Sequence, residues 1–524
     1  MTNPAAVLPE DVSALKEMVR HRDEEIGHLR EQIRSLKHHL FGPKSEVLRG
    51  PEEGLQSSLF ALDEDEAGEL ENDEEHNEDS LGSQAKVPRR PRGRRKLPEF
   101  LPREEIVHDL PEREKLCACG HKKTCIGRLT TEVLERIPVQ LTVKVHHRLK
   151  YVCQHPECEV ALTGEADTVH IAEAPARMIP QSMAGHSLLA HVVGAKFVDG
   201  LPLYRIEQQM KREGLSLPRH TMSRWMRQVA DRMAPLWEHL LEEVKAHPYV
   251  QVDETPFQVL NEQGRKNQNK SYLWAMRGGP SDRPIILFRY HPTRASEVIR
   301  DWLVDYQGVV QTDGYVGYDF LDDQKGILHA GCWVHARRKF VAVTKAGGKA
   351  GGKGGKPGRA GRILKVIKSM YRIESELRDS GASAEEVVVA RQKRTKPLLE
   401  ALFSQLKDLR LKTPPNGLLG EAVAYALNQW PRLQVFCDHG MVKPDTNDVE
   451  NAIRPFVVGR KAWLFAGSPA GAEASALLYS LVETAKANGW NPTRWLNHVF
   501  DHLPTAKSKA DLEALLPTNP PPQP

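Results

Sequence analysis

Two short β-branched runs in the second half of the chain each stop at an aspartate: VQVD ends on Asp253 and VVQTD on Asp313. A third acid, Glu450, lies in DTNDVENAIRP, a stretch that reads as helix. Taken singly, an aspartate at a strand end is a turn former or a helix cap. Taken together, with glycine or polar neighbours opening the backbone beside each, the three ask for a fold that carries two strand ends and a helix to one place. Spacing alone does not establish that place.

Two strand aspartates closed by a helical glutamate is how a ribonuclease-H-like sheet assembles a two-metal phosphodiester site. Mg²⁺ is a hard cation held by a few carboxylates plus substrate phosphate oxygens, and a pair of such ions clamps the attacking and leaving oxygens. Strands are expected from Tyr249 to Asp253, Tyr272 to Arg277, Ile285 to Tyr290 and Val309 to Thr312, with a helix from Arg294 to Val304.

The residues around the acids resemble the DDE transposases of bacterial insertion sequences, specifically insertion sequence family sixty-six. The resembling stretches are LFGPKSE from Leu40, LPREEIVHDLPE from Leu101, VDETPF from Val252, QTDGYVGY from Gln311 and CWVHARRKF from Cys332. IRPFVVGRKAWLFAGS from Ile453 and LYSLVETAKANG from Leu478 complete the set, which covers most of the chain. The resemblance implies metal-dependent cleavage at the ends of a mobile element, followed by joining of the freed 3′-hydroxyl to target DNA. Asp253, Asp313 and Glu450 would be the catalytic acids and the ligands of two Mg²⁺ (or Mn²⁺) ions. Arg454, Arg460 and Lys461 would neutralise phosphates near Glu450, with Trp463 stacking on a base or filling the core. The C-x2-H spacing of Cys332 and His335 occurs in several DDE families; it suggests a buried cysteine and a histidine beside the acids, with Arg337 and Arg338 following toward DNA. Thr446 and Asn451 stand where the resemblance leads one to expect Asn and Arg, which leaves the DNA register beside Glu450 open.

The formal net charge of +4 hides segregation: Asp63 to Asp79 holds about 11 acids and no Lys or Arg, so the rest carries about +15. A basic body with an acidic tether suits a phosphate-rich partner. No apolar stretch is long enough to span a bilayer, and MTNPAAVLPEDVSALK lacks the pattern of a signal peptide. Seven cysteines are sparse and odd in number, against a disulfide framework. The expected location is cytoplasmic.

The expected fold class is multidomain α/β, in six segments. Residues 11–42 place Val12, Val19, Ile26, Ile33 and Leu40 at heptad a, with Leu15, Arg22, Leu29 and Leu36 at d. This is the pattern of a coiled coil and a homodimer or higher oligomer, or of an amphipathic helix packed on its own chain. Residues 43–100 form an acidic then basic linker whose RRPRGRRK, with Arg92 and Arg94, would enter a minor groove or tether phosphates. Residues 101–175 hold Cys117, Cys119, Cys153 and Cys158 around strand-like alternation, a zinc-ribbon-like module with structural Zn²⁺ if the thiols converge, or separate cysteines if they do not. The spacings C-x-C and C-x4-C are unusual for zinc.

Residues 176–247 read as helix, turn at Gly214 to Leu217, and a second helix opened by Pro218. As a helix-turn-helix it would offer Arg219, Ser223, Arg224 and Arg227 to a major groove; helix pairs of this kind also build cores. Residues 248–500 form the ribonuclease-H-like domain with a helical insertion at 341–436, and 501–524 a flexible tail. AGGKAGGKGGKPGRAGR from Ala346 is no P-loop, because Gly354 and not Ser or Thr follows Gly352-Lys353; it reads as a basic loop. Partners implied are DNA, as element ends and target, and small accessory proteins of the same element. A zinc-containing DNA-binding regulator that does not cut, and a resolvase-like nuclease that does not join, are the rival readings.

Overall fold

The computed structural model describes residues 141–152, 169–346 and 358–519, with Asp11 and Arg22 alone before them. Apart from those two residues, the expected coiled coil lies outside the described residues. So do Arg92, Arg94, Cys117, Cys119, Cys153, Cys158 and residues 347–357 of the glycine–lysine tract. Among the described residues after Arg22, the chain divides into two compact units between residues 173 and 174.

In the first unit, residues 141–149, part of the stretch expected to alternate as strands, form no strand. Strand β1 (Lys150–Val152) pairs antiparallel with β2 (Val169–Ile171), and Arg148 Nε donates to the Ala172 carbonyl at 2.6 Å.

The second unit begins with three helices, α1 (His186–Phe197), α2 (Leu203–Arg212) and α3 (Arg219–Ala246). Gly214, at φ +85°, supplies the left-handed turn between α2 and α3, and Pro218 is the N-cap of α3. Met222, Trp225, Met226, Val229, Met233, Leu236, Leu240 and Val244 recur at three and four residues and form one buried face. That face joins the same core as the sheet that follows. The helix pair is therefore part of the body of the unit, which corrects the separate domain expected for 176–247.

The sheet is mixed, in the order β5-β4-β3-β6-β7. Its strands are β3 (Tyr249–Val259), β4 (Lys270–Gly278), β5 (Ile285–His291), β6 (Gly308–Gln311) and β7 (Ile327–Ala330), with the short helix α4 (Glu297–Trp302) crossing between β5 and β6. The first three strands form an antiparallel meander, and β6 and β7 run parallel to β3. The four expected strands are present, while β7 and the two-residue strand after Leu464 were not anticipated. Near-continuous burial in β3 and β4 fits a sheet covered on both faces.

After α5 (Trp333–Ala346), the helices α6 (Arg359–Asp379), α7 (Ala384–Ala390), α8 (Lys396–Leu411) and α9 (Leu418–Asn428) follow, between the sheet strands and the helix that carries Glu450. They enclose a second core around Trp333, Phe340, Ile367, Met370, Leu402 and Trp430, which reaches the sheet at Tyr249 and Val309. Helix α10 (Asn447–Trp463) returns to β3 and β4, and β8 (Phe465–Ala466) pairs with the end of β3.

Helix α11 (Pro469–Ala487) closes the β5 edge of the sheet. Ser480 Oγ accepts from Phe288 N at 2.7 Å, Thr484 Oγ1 accepts from Ile286 N at 3.0 Å, and Asn488 Nδ2 donates to Pro284 O at 2.8 Å. These positions, four residues apart on one helical face, satisfy the outer backbone of an edge strand that would otherwise invite pairing. The expected flexible tail is corrected as well. Helix α12 (Pro492–His502) packs on α1, and the indoles of Trp495 and Trp490 donate to Leu515 O at 3.3 Å and Asn519 O at 2.7 Å. Leu515 and Leu516 are buried.

Candidate active site

Side chains alternate faces along a strand, so Tyr249, Gln251 and Asp253 of β3 share one face. Gln251 pairs in register with Gln311 of β6, and the two amides are hydrogen-bonded at 3.2 Å. Two residues beyond each glutamine stands an aspartate, Asp253 on β3 and Asp313 just past β6. The repeated Q-x-D is therefore one structural statement made on two adjacent strands.

The same glutamines fasten the chain that brings Glu450. Gln251 Nε2 donates to Asp445 O at 3.0 Å and its Oε1 accepts from Val449 N at 3.1 Å, in the first turn of α10. Gln311 Nε2 donates to Lys443 O at 2.8 Å, and Trp333 N to Pro444 O at 2.9 Å. Farther back, Arg391 donates to the carbonyls of Phe436, His439 and Val442 at 2.7 to 2.9 Å, and its charge is met by Glu374 at 2.6 Å. The approach to Glu450 is thus held carbonyl by carbonyl, from the insertion on one side and the sheet on the other. Glu450 itself is 5% exposed, too buried for an incidental surface acid.

Burial pushes the Asp253 carboxyl well above its ordinary value, and the charges of Glu254, Glu450 and Asp313 push it further, against the pull of His335. All three expected acids therefore lie within one electrostatic neighbourhood. Asp253 Oδ1 accepts from Glu254 N and Asp313 Oδ1 from Tyr315 N, each at 2.9 Å, which fixes both carboxylates through backbone rather than through cations. Gly314 is required beside them: a Cβ there would strike the Tyr425 ring of the insertion. A set of hard oxygen donors that repel one another when ionised suits a divalent cation such as Mg²⁺.

Cations near Glu450 come from α5. Arg338 Nη2 reaches Glu450 Oε2 at 3.1 Å, and His335 Nδ1 lies 3.7 Å from Oε1. Desolvation would lower the His335 pKa, but Cys332, Glu450 and Asp313 outweigh it and raise it to about 10. Cys332 is buried and accepts from Thr446.

Support for the site that the sequence reading missed begins at Glu254. By alternation it faces away from Asp253, and it is buried with Arg294 and the Tyr318 hydroxyl as partners. Desolvation raises its pKa despite Arg294. Arg294 in turn stacks on Tyr315, 3.5 Å from the ring centroid. The Asp-Glu doublet on an otherwise apolar strand was the available signal, because the second acid needs a cation as much as the first needs a function.

The residues expected on DNA are dispersed. Arg219, Ser223, Arg224 and Arg227 are exposed along α3, and Arg224 and Arg227 border a cleft of about 540 Å³ that Asp231 and Glu473 also line. Arg337 and Arg454 are half-buried and Lys461 is exposed. Arg460 reaches Thr255 Oγ1 at 3.4 Å, and burial lowers its pKa. Trp463 packs edge-on against Phe456 with Lys196 over its ring, as a core residue does.

Residues 181–474 match the family model described as Transposase IS66 family, and residues 480–518 the IS66 C-terminal element. Residues 114–159 match a model described as the zinc-finger binding domain of transposase IS66, and 28–106 one described as Transposase C of IS166 homeodomain. Two uncharacterized proteins of Sinorhizobium fredii (strain NBRC 101917 / NGR234) align along nearly the whole length. One, y4jD, is 33% identical over 98% of this chain and 97% of its own; the other, y4qI, is 30% identical over 99% of each. No helix among the described residues is long and apolar enough to cross a membrane.

Proposed function

Because the chain belongs to the IS66 transposase family, we propose that Asp253, Asp313 and Glu450 are its catalytic acids, acting in Mg²⁺-dependent cleavage of element ends and strand transfer into target DNA. The observation that carries this reading is geometric: Asp253 and Asp313 stand on and just past adjacent strands, each two residues beyond a member of a hydrogen-bonded glutamine pair, and one of those glutamines also fastens the first turn of the helix that carries the buried Glu450. The sheet order, an antiparallel meander extended by two parallel strands beyond β3, supports a ribonuclease-H-like fold with a helical insertion.

Two Mg²⁺ ions (Mn²⁺ could replace them) would be held by Asp253, Asp313 and Glu450 and would supply charge neutralisation of the scissile phosphate and activation of the attacking oxygen. The protein's own part is positional. Gln251 and Gln311 set the acids on one face, Arg338 offsets charge at Glu450, and the Glu254–Arg294 pair supports β3 from behind. Arg337, Arg454, Arg460 and Lys461 are assigned to phosphates near the acids, and Arg219, Ser223, Arg224 and Arg227 to duplex DNA along α3. The zinc-finger match supports structural Zn²⁺ on Cys117, Cys119, Cys153 and Cys158. Arg92 and Arg94 are assigned to a DNA tether, the N-terminal heptads to self-association, and the site of action to the cytoplasm.

The test is nicking of terminal inverted-repeat DNA with and without Mg²⁺. Glu450→Gln should abolish nicking while leaving DNA binding intact, and undiminished nicking by this variant would end the assignment. Precut ends that are joined to a second duplex separate a transposase from a nuclease that only cuts.

A further inference from the structure

Glu450 belongs to a second constellation of different chemistry. Cys332, His335 and Glu450 each offer a ligand atom, and these atoms all lie within 4.8 Å of one another. Cys332 precedes α5 and His335 lies on its first turn, so one turn of backbone presents sulfur and nitrogen toward the helix that carries the carboxylate. We propose that these three residues form a site for a borderline transition cation of the Zn²⁺ type, distinct in donor chemistry from the all-oxygen Mg²⁺ set with which it shares Glu450.

Hydrogen-bond contacts inside the cluster are long. The Thr446 hydroxyl lies 3.2 Å from Cys332 Sγ and 3.3 Å from Glu450 Oε1, yet it has one proton to give. Thr446 N adds a long contact to the sulfur at 3.4 Å. His335 Nδ1 is buried, meets no partner at hydrogen-bonding distance, and lies 3.7 Å from Glu450 Oε1. Arg338 engages the other carboxylate oxygen, Oε2, and so leaves Oε1 facing the sulfur and the imidazole. A buried imidazole nitrogen with no partner at hydrogen-bonding distance, a thiol sulfur and a carboxylate oxygen, all within ligand reach of one another, would be satisfied together by one cation that displaces their protons.

Donor type decides which cation. Thiolate and imidazole select Zn²⁺ or its neighbours, whereas Mg²⁺ takes oxygen. Zinc bonds of about 2.0 to 2.3 Å place tetrahedral donors roughly 3.3 to 3.8 Å apart, so side-chain adjustments of about 1 Å would close the site. Three protein ligands leave the fourth position open. Occupation would draw Glu450 into a sulfur-bearing site and away from Mg²⁺, which makes Zn²⁺ an inhibitor of cleavage. That consequence rests on the role proposed for Glu450; binding itself does not.

The experiment titrates Co²⁺, a spectroscopic substitute for Zn²⁺, into the metal-free full chain and into C332S and H335Q. The N-terminal cysteines are common to all three proteins and cancel in the comparison. We expect the parent to bind one more equivalent with thiolate-to-cobalt absorption than C332S, and H335Q to bind that equivalent at least tenfold more weakly. Equal numbers of thiolate-bound equivalents in parent and C332S, with the far-ultraviolet circular dichroism unchanged, would overturn the proposal. In a parallel nicking assay at fixed Mg²⁺, Zn²⁺ should inhibit the parent and leave C332S at least tenfold less sensitive; equal sensitivity would overturn the inhibitory role. A parent that shows the cobalt band but never nicks would refute the catalytic reading of Glu450 and leave the metal site standing.

Discussion

Replacing Asp253 by Asn should stabilise the protein in magnesium-free buffer and destabilise it, relative to the parent, once Mg²⁺ is added. The substitution is nearly isosteric, and Asn Oδ1 can still accept the 2.9 Å hydrogen bond from Glu254 N, so it removes charge without removing that contact. Adjacent strands are about 4.8 Å apart, which puts carboxylates at neighbouring positions some 5 to 6 Å from each other. At an effective dielectric constant of about 20, one such pair repels by about 3 kcal/mol. His335 and Arg338 offset part of this, leaving an expected gain of about 2 kcal/mol, or roughly 2 to 3 °C in Tm for a unit of this size.

The pH dependence has a definite sign. Burial and the neighbouring acids hold the Asp253 carboxyl of the folded protein well above the ordinary aspartate range, so its favourable contribution is complete below about pH 4 and is lost as pH rises through the folded value. Melting curves of parent and D253N should therefore nearly coincide at acid pH and separate toward neutrality, with the variant higher. Saturating Mg²⁺ should raise the parent at neutral pH and leave D253N almost unmoved, because the ion binds a carboxylate that the variant lacks. A D253N protein that melts below the parent at neutral pH without Mg²⁺ would mean that Asp253 is not under repulsion, and the shared-site reasoning would fall with it.

Gln251→Leu should leave Asp445 O without its amide partner, at about 1 to 3 kcal/mol, leave Val449 N only its bond to Thr446 O, and weaken Mg²⁺ binding; urea unfolding and Mg²⁺ titration measure the two effects. Arg294→Ala should cost about 3 to 5 kcal/mol by removing the cation that faces the buried Glu254 carboxylate, and adding Glu254→Gln should recover much of it, as urea unfolding of the single and double variants will show. Arg224→Ala with Arg227→Ala should lower the slope of log affinity against log salt by about 2 if both meet phosphate, while the Mg²⁺-induced shift in Tm stays unchanged.

The four expected strands were legible because a sheet covered on both faces needs continuous apolar, β-branched runs, and few other elements do. Strand β7 was not, since ILHA is short and its His329 looks polar; in place, His329 is buried against Thr312 and Asp322. Strand β3 runs on to Val259 because β4 and β8 pair with its far half, a nonlocal cause that local pattern cannot carry. The helix pair at 203–246 was found but mistaken for a separate domain, because a helix that packs on a sheet and one that packs within its own domain show the same 3.6-residue periodicity. The C-terminal segment was read as a tail because its anchors are backbone carbonyls accepting from two tryptophans, which leave no mark of their own in the accepting residues.

At the candidate site, the acids were legible by being out of place among apolar neighbours, while the residues that hold them were not, since a glutamine within a strand reads as a blemish in the pattern. The long insertion between Asp313 and Glu450 is where this matters most. From sequence it is a set of helices with a basic lead-in. The structure gives it a positioning task. Arg391 sits on a π-helical turn between α7 and α8, where its guanidinium gathers three carbonyls of the strand-less segment leading to α10. The Gln311 amide, the Trp333 backbone N–H and the Gln251 amide take the next three carbonyls in succession, those of Lys443, Pro444 and Asp445. A helix arriving from so far along the chain has no neighbouring strand to set its register, so its first turn must be aimed by side chains from both cores. The position of Glu450 is therefore a property of the insertion and the sheet jointly, and shortening the insertion would be felt at the third acid before it was felt at the first two.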